Sequence, residues 1–181
     1  NGKIGLVLAN GALSTQSSGE GEIRKNIINA DLVEGIVALP TQLFYSVTIP
    51  VTLWFISKNK KQKGKTLFID ARKMGYMVDR KHRDFTEEDI QKLADTFESF
   101  QNGTLEEVKG FCAVADLQTI EKQDYILTPG RYVGIEEQED DGEPFEEKMA
   151  RLTSELAGMF AKSHELEEEI RKKLGAIGYE I

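Results

Sequence analysis

The run Ile4-Gly-Leu-Val-Leu-Ala9 limits the fold more than any other stretch of the chain. It is apolar on both faces, so as a strand it needs cover above and below and neighbours on each side. That is the environment of an interior strand in a parallel sheet. Two more β-like runs follow: residues 32–39, stopped by Pro40, and residues 51–56, rich in β-branched and aromatic side chains. Between the first two runs, residues 22–30 place Ile23, Ile27 and Ala30 on one helical face, with Asp31 near its end. The order strand, helix, strand, loop, strand predicts an α/β fold. The first strand begins at once with no methionine before it, as in a piece cut from a longer protein.

The loop that joins the second and third runs lies between Pro40 and Pro50 and carries two adjacent rings, Phe44 and Tyr45. Beyond the third run, the basic, glycine-containing tract 58–65 reads as a boundary, and residues 66–70 as another strand. Thr86 with Asp89 has the spacing of a helix-capping pair, with Phe85 and Ile90 as a hydrophobic staple. The helix they start buries Ile90, Leu93, Ala94 and Phe97 and stops near Asn102-Gly103. Asp116 caps a shorter helix that turns Leu117 and Ile120 inward, and a Thr-Pro-Gly turn follows at 128–130. Residues 136–147 are almost solid acid, which solvates and repels itself.

Pro144 then fits the first turn of the most regular element in the chain. Phe145, Met149, Leu152, Leu156, Met159, Phe160, Leu166, Ile170 and Leu174 fall on one stripe, interrupted where Ser163 takes a seam position. Charged residues fill the opposite face, and Gly175 with Gly178 ends the helix. A stripe of about 30 residues is ~45 Å long, more than a small domain covers by itself. Three regions result: 1–58 with the first strands and helix, 59–135 as a mixed α/β region, and 136–181 as acidic tether and helix.

A net charge of −8 excludes a surface that is basic all round, so nucleic acid would have to meet a local patch or another chain. The two basic clusters, 58–65 and Arg80-Lys-His-Arg83, read either as phosphate contacts or as a solvated linker and loop. A single cysteine, Cys112, allows no internal disulfide and reads as a small core residue of a reducing, cytoplasmic compartment. Two histidines, His82 and His164, give no metal-ligand spacing, and no apolar run approaches membrane-spanning length. Arg131 reads as a phosphate contact or as a structural hydrogen-bond donor.

Several blocks together resemble the modification (M) subunit of type I restriction-modification systems, an N6-adenine DNA methyltransferase. They are VLANGALS at 7–14, GEGEIRKNIINADLVEGIVALPTQLFYSVTIPVTLWFI at 19–56, FIDARKMGYMVDRKHRDFTEEDI at 68–90, YILTPGRYVG at 125–134 and EDDGEPFEEKM at 139–149. The resemblance covers only the C-terminal part of such a subunit. It implies the Rossmann-like sheet of S-adenosylmethionine-dependent methyltransferases, with residues 4–9 as its fifth strand, 22–30 the next helix, 32–39 the sixth strand and 51–57 an antiparallel seventh strand between the two. A small mixed α/β region and a long amphipathic helix follow.

The same resemblance assigns the chemistry to residues outside this chain. No Gly-rich loop follows a strand in the pattern that cradles the cofactor, and no Asn/Asp-Pro-Pro-Tyr/Phe tetrapeptide is present to hold the adenine amino group. No catalytic, S-adenosylmethionine-binding or metal residue is therefore expected here, although the full-length protein would use that cofactor. Family chemistry flips the target base out of the duplex, which makes Phe44 and Tyr45 candidate base contacts; the other reading packs one or both rings onto the sheet. It also offers the terminal stripe, from Phe145, Met149, Leu152 and Leu156 through Phe160, Leu166 and Ile170, as a docking surface for the specificity (S) subunit. A second M subunit, the restriction (R) subunit and DNA complete the implied partners. The rival reading is a non-catalytic assembly module whose helix self-associates. Alone, a chain with an apolar strand at 4–9 and no upstream neighbour is expected to self-associate.

Overall fold

The structure, a computed structural model, describes residues 2–45, 48–135 and 144–179. It divides into two compact units, residues 1–137 and 138–181.

The first unit is built on a mixed five-stranded sheet. Strand β1 (Lys3–Ala9) is followed by helix α1 (Glu20–Asn29), β2 (Val33–Ala38), β3 (Val51–Ser57) and β4 (Lys65–Asp70). A short hairpin, β5 (Tyr76–Met77) and β6 (Arg83–Asp84), precedes α2 (Glu87–Asn102), β7 (Cys112–Asp116) and α3 (Leu117–Lys122). The spatial order is β1-β3-β2-β4-β7. β3 runs antiparallel to both neighbours, so Trp54 sits opposite Leu6 on one side and Ile36 on the other. β2 and β4 are parallel, with Gly35 opposite Leu67, and β7 closes antiparallel on β4. The antiparallel strand between the first and second runs is the arrangement that the resemblance implies.

Successive side chains of a strand point to opposite faces, and over β2, β3 and β4 both faces of this sheet carry core residues. On one face Ile36, Trp54 and Phe68 meet Ile28 of α1, Ile120 of α3, and Leu127 and Val133 from the loop beyond α3. On the other, Val37, Val51, Leu67 and Ile69 meet Phe100 of α2, with Leu93 and Phe97 packed alongside. The strand at residues 66–70, suggested only by weak alternation, is among the most buried elements.

Four expectations shift. The run at 4–9 is not interior among the described residues: β1 is the sheet's edge, its one partner is antiparallel, and Ile4, Leu6 and Val7 are exposed. In α1 the buried side is Arg24 and Ile28, whereas Ile23 is 58% exposed. The helix phase follows the Arg24 guanidinium, which donates to the carbonyls of Tyr125 (2.7 Å), Thr15 (2.9 Å) and Ala12 (3.3 Å). In α2 the capping box forms as expected, Thr86 and Asp89 each accepting the other's backbone N–H at 3.1 Å. Ile90, however, is exposed, because it lies roughly 100° of helical rotation from the direction of buried Thr96 and Phe100. Leu117, at the first position of α3, is exposed as well, and Ile120 alone carries that helix into the core.

Among the described residues the second unit contains one helix, α4 (Phe145–Ala176). Its 32 residues span about 48 Å. The pairs Arg151–Glu155, Glu167–Arg171 and Glu169–Lys173, each four residues apart, brace its charged side. Residues 136–143 of the expected acidic tether lie outside the described residues. No described helix is long and apolar enough to cross a membrane.

Candidate functional site

The aromatic loop begins where β2 ends. The Leu39 N–H donates to the carbonyl of Val51, which pins the start of the loop against the first residue of β3. Gln42 then takes a left-handed backbone conformation, φ 64°, and the chain turns outward to Phe44 and Tyr45. Both rings face solvent, Phe44 42% and Tyr45 81% exposed.

The β5–β6 hairpin meets this loop. Gly75, at φ 80°, admits no side chain: a Cβ there would lie 2.6 Å from the backbone oxygen of Asp84. At the hairpin's tip the Asp79 carboxylate accepts the backbone N–H groups of Lys81 (2.7 Å) and His82 (2.8 Å). Those two hydrogen bonds hold the exposed Asp79 carboxyl below the usual range. Val78 N–H donates to the His82 carbonyl to close the turn. The Arg83 guanidinium donates to the carbonyls of Met74 and Gly75, tying the hairpin to its own stem.

Among the described residues, three contacts join hairpin and loop. The Arg83 N–H donates to the Gln42 carbonyl at 2.9 Å. The Gln42 side-chain amide donates to the Arg80 carbonyl at 3.3 Å. The Tyr45 and His82 rings stack, with centroids 4.3 Å apart and planes 12° from parallel. Two features that are 35 residues apart and read separately in the sequence thus form one surface, rings beside the exposed cations Arg80 and Lys81.

The other basic tract is built differently. Lys60 is 4% exposed, with its ammonium 2.5 Å from the Asp31 carboxylate, which also accepts the Gly64 N–H. Desolvation would raise the Asp31 pKa. The Lys60 and Gly64 hydrogen bonds, with the charges of Lys60 and Lys63, outweigh it and hold the carboxyl below its ordinary value. Arg131 donates to Gln123, a structural contact. Cys112 is buried, and burial pushes its thiol pKa up, so it is a core residue without thiolate character. Among the described residues no group of three or more His, Cys, Asp or Glu side chains is placed to hold a metal.

The apolar stripe of α4 is open along its length. Phe145, Met149, Leu152, Leu156, Phe160, Leu166 and Ile170 are each more than 40% exposed, and no residue of the helix is buried.

Two apolar grooves flank the sheet of the first unit. One, about 490 Å³, lies between α2 and the sheet and is lined by Val37, Phe55, Leu93 and Phe97 together with Lys61, Glu98 and Gln101. The other, about 340 Å³, is lined by Leu6, Leu8, Ile23, Ile27, Trp54 and Ile56.

Sequence reasoning missed Asp31, Arg24 and the role of His82. Asp31 was legible only as a helix-terminal acid and His82 as one member of a charged cluster, and Arg24 drew no reading of its own. Nothing in local spacing marks the distant partners, Lys60 for Asp31 (29 residues away), the Tyr125 carbonyl for Arg24 (101) and Tyr45 for His82 (37).

Residues 1–141 match the N-6 DNA methylase family. The chain is 59% identical over 181 residues to the type I restriction enzyme HindI methylase subunit of Haemophilus influenzae, covering 99% of this chain and 41% of that protein. It is 47% identical to the MjaIX methylase subunit of Methanocaldococcus jannaschii, covering 99% of this chain and 33% of that protein. The crystal structure of a type I restriction-modification methyltransferase subunit from Streptococcus thermophilus superposes with a TM-score of 0.66 at 28% identity, over 75% of this chain and 27% of that one. The chain therefore spans less than half the length of these relatives.

Proposed function

Because the chain belongs to the N-6 DNA methylase family, we propose that it forms the closing part of a type I modification subunit that transfers a methyl group from S-adenosylmethionine to adenine N6 in DNA. The observation that carries this reading is the 59% identity to a HindI methylase subunit over essentially the whole chain. The β1-β3-β2 order, with its inserted antiparallel strand, agrees with it.

Among the described residues the side chains beside the sheet do not fit the cofactor. The grooves beside the sheet are lined mainly by aliphatic and aromatic side chains, with no glycine-rich turn opening onto them and no paired donors for a carboxylate and a ribose. Methyl donor and adenine amino group are held by residues outside this chain, and its own side chains act in binding and assembly. Strands β1 to β3 close the sheet that carries the catalytic residues. Phe44 and Tyr45 stand at its loop end, where a base drawn out of the duplex needs an aromatic surface. Stacking of this kind contributes about 1–3 kcal/mol per base in single-strand binders.

The helix α4 offers its stripe to the specificity subunit, in an assembly that also holds a second modification subunit and, for restriction, the R subunit. Charge supports this division of labour. At −8 overall the chain depends on a partner and on local cations to hold DNA. The cytoplasm is the compartment where such an enzyme meets its substrate.

The test is direct. The full-length subunit is assembled with its specificity subunit and incubated with DNA and S-adenosylmethionine, and digested nucleosides are read by mass spectrometry. N6-methyladenine is the expected product. Its absence, or a methylated cytosine, would contradict the reading.

A further inference from the structure

We propose that the β5–β6 hairpin is the second half of the base site, in which His82 backs Tyr45 and the cations of the same turn, Arg80 and Lys81, hold the phosphates beside the extruded adenosine. This rests on the reading of the loop as a base contact and goes beyond it, by choosing the ring and by naming its support.

The choice of ring follows from exposure and geometry. One face of Tyr45 lies against His82, 4.3 Å away and nearly parallel. At 81% exposure the residue has little other cover, so its second face is open. A ring held on one side and open on the other is a ready platform, because its χ angles are already restricted before a base arrives. Phe44 is about half as exposed and stacks on no ring among the described residues.

His82 is itself fixed. Its backbone N–H is held by Asp79, its carbonyl by Val78, and the next residue, Arg83, is bonded to Gln42 at the base of the aromatic loop. The backing is therefore anchored through its backbone, and the half-buried His82 ring, whose Nδ1 has no hydrogen-bond partner among the described residues, is held by packing. On the same turn Arg80 and Lys81 are exposed and carry no carboxylate pair among the described residues, whereas Asp79 spends its charge on backbone N–H groups. Unpaired cations next to an open aromatic face match a nucleotide, whose base stacks while its phosphate is anionic.

The experiment uses the full-length subunit assembled with its specificity subunit and two duplexes: one with 2-aminopurine at the target position, whose emission rises when it leaves the stack, and one with adenine there, on which methylation is timed. His82→Ala is expected to lower that emission and to slow single-turnover methylation about 3- to 10-fold, with S-adenosylmethionine affinity unchanged. His82→Phe, which keeps a planar ring behind Tyr45, restores both. Arg80→Ala with Lys81→Ala is expected to make the slope of log affinity against log salt shallower by about 2. Wild-type emission in His82→Ala while Tyr45→Ala loses it, or an unchanged salt slope, overturns the role of the hairpin and leaves the aromatic loop in place. Wild-type emission in Phe44→Ala with Tyr45→Ala overturns the base-contact reading itself.

Discussion

Removing Asp31 should cost far more than removing the lysine it pairs with. The Lys60 side chain is 1% exposed and that of Asp31 34%, so the two partners are not equivalent. In Asp31→Ala the ammonium stays buried with its counter-ion gone, and the Gly64 N–H loses its acceptor. Stranding a buried charge in this way costs about 3–5 kcal/mol. In Lys60→Met the buried stem keeps a similar volume and the carboxylate that remains is one-third in water and still bonded to Gly64. That loss should be about 1 kcal/mol.

Urea denaturation of the purified protein reads the difference. At a slope of about 2 kcal/mol per molar urea, Asp31→Ala should move the midpoint down by roughly 1.5–2.5 M and Lys60→Met by about 0.5 M. The double variant should be more stable than Asp31→Ala alone, since it removes the stranded charge. The carboxyl is depressed in the folded state, so its contribution is complete above about pH 4 and fades as the pH falls below that value. A Lys60→Met loss equal to or larger than that of Asp31→Ala, or a double variant less stable than Asp31→Ala, would refute the reasoning.

Gly75→Ala should loosen the hairpin, because its Cβ would meet the Asp84 carbonyl at 2.6 Å in a left-handed backbone; limited trypsin digestion should then cut after Arg80 and Lys81 faster than in the parent. Burial pushes the Tyr132 hydroxyl up to about 12, and its folded pKa lies above the unfolded value near 10, so stability should hold below pH ~10 and fall as the pH rises from there. Tyr132→Phe should flatten that fall in melts taken between pH 9 and 11.5, at a cost of about 1 kcal/mol at neutral pH for the lost bond to the Ile126 carbonyl. Leu152→Glu with Leu156→Glu should abolish capture of the specificity subunit in a pull-down while leaving the melt of the sheet unit unchanged; undiminished capture would remove α4 as the docking element.

The sheet was legible in the sequence because its runs are long and bounded by Pro40, Pro50 and turn residues, and the cap at Thr86 because its spacing is local. Helix α4 was legible for the same reason, its stripe repeating over many turns. What local pattern could not supply was phase and partner. Ile23 and Ile90 look inward by spacing, yet α1 is turned by Arg24 reaching carbonyls in two separate loops, and α2 by the burial of Thr96 and Phe100. The first strand read as interior from its composition, which reports the cover it requires rather than the cover this chain provides. The two halves of the candidate site were each visible, as two rings and as a basic cluster. Their union depends on Gln42 and on the Tyr45–His82 stack, contacts across about 40 residues that no spacing rule predicts.

The central claim is that this chain gives an adenine methyltransferase its base-facing ring. It is tested most directly by the single-turnover rate of N6-adenine methylation for Tyr45→Ala in the assembled enzyme, measured beside the affinity for S-adenosylmethionine. Loss of one stacked base corresponds to a rate lowered by about 5- to 150-fold, with cofactor affinity unchanged. A wild-type rate, in Tyr45→Ala and again in Phe44→Ala with Tyr45→Ala, would contradict it.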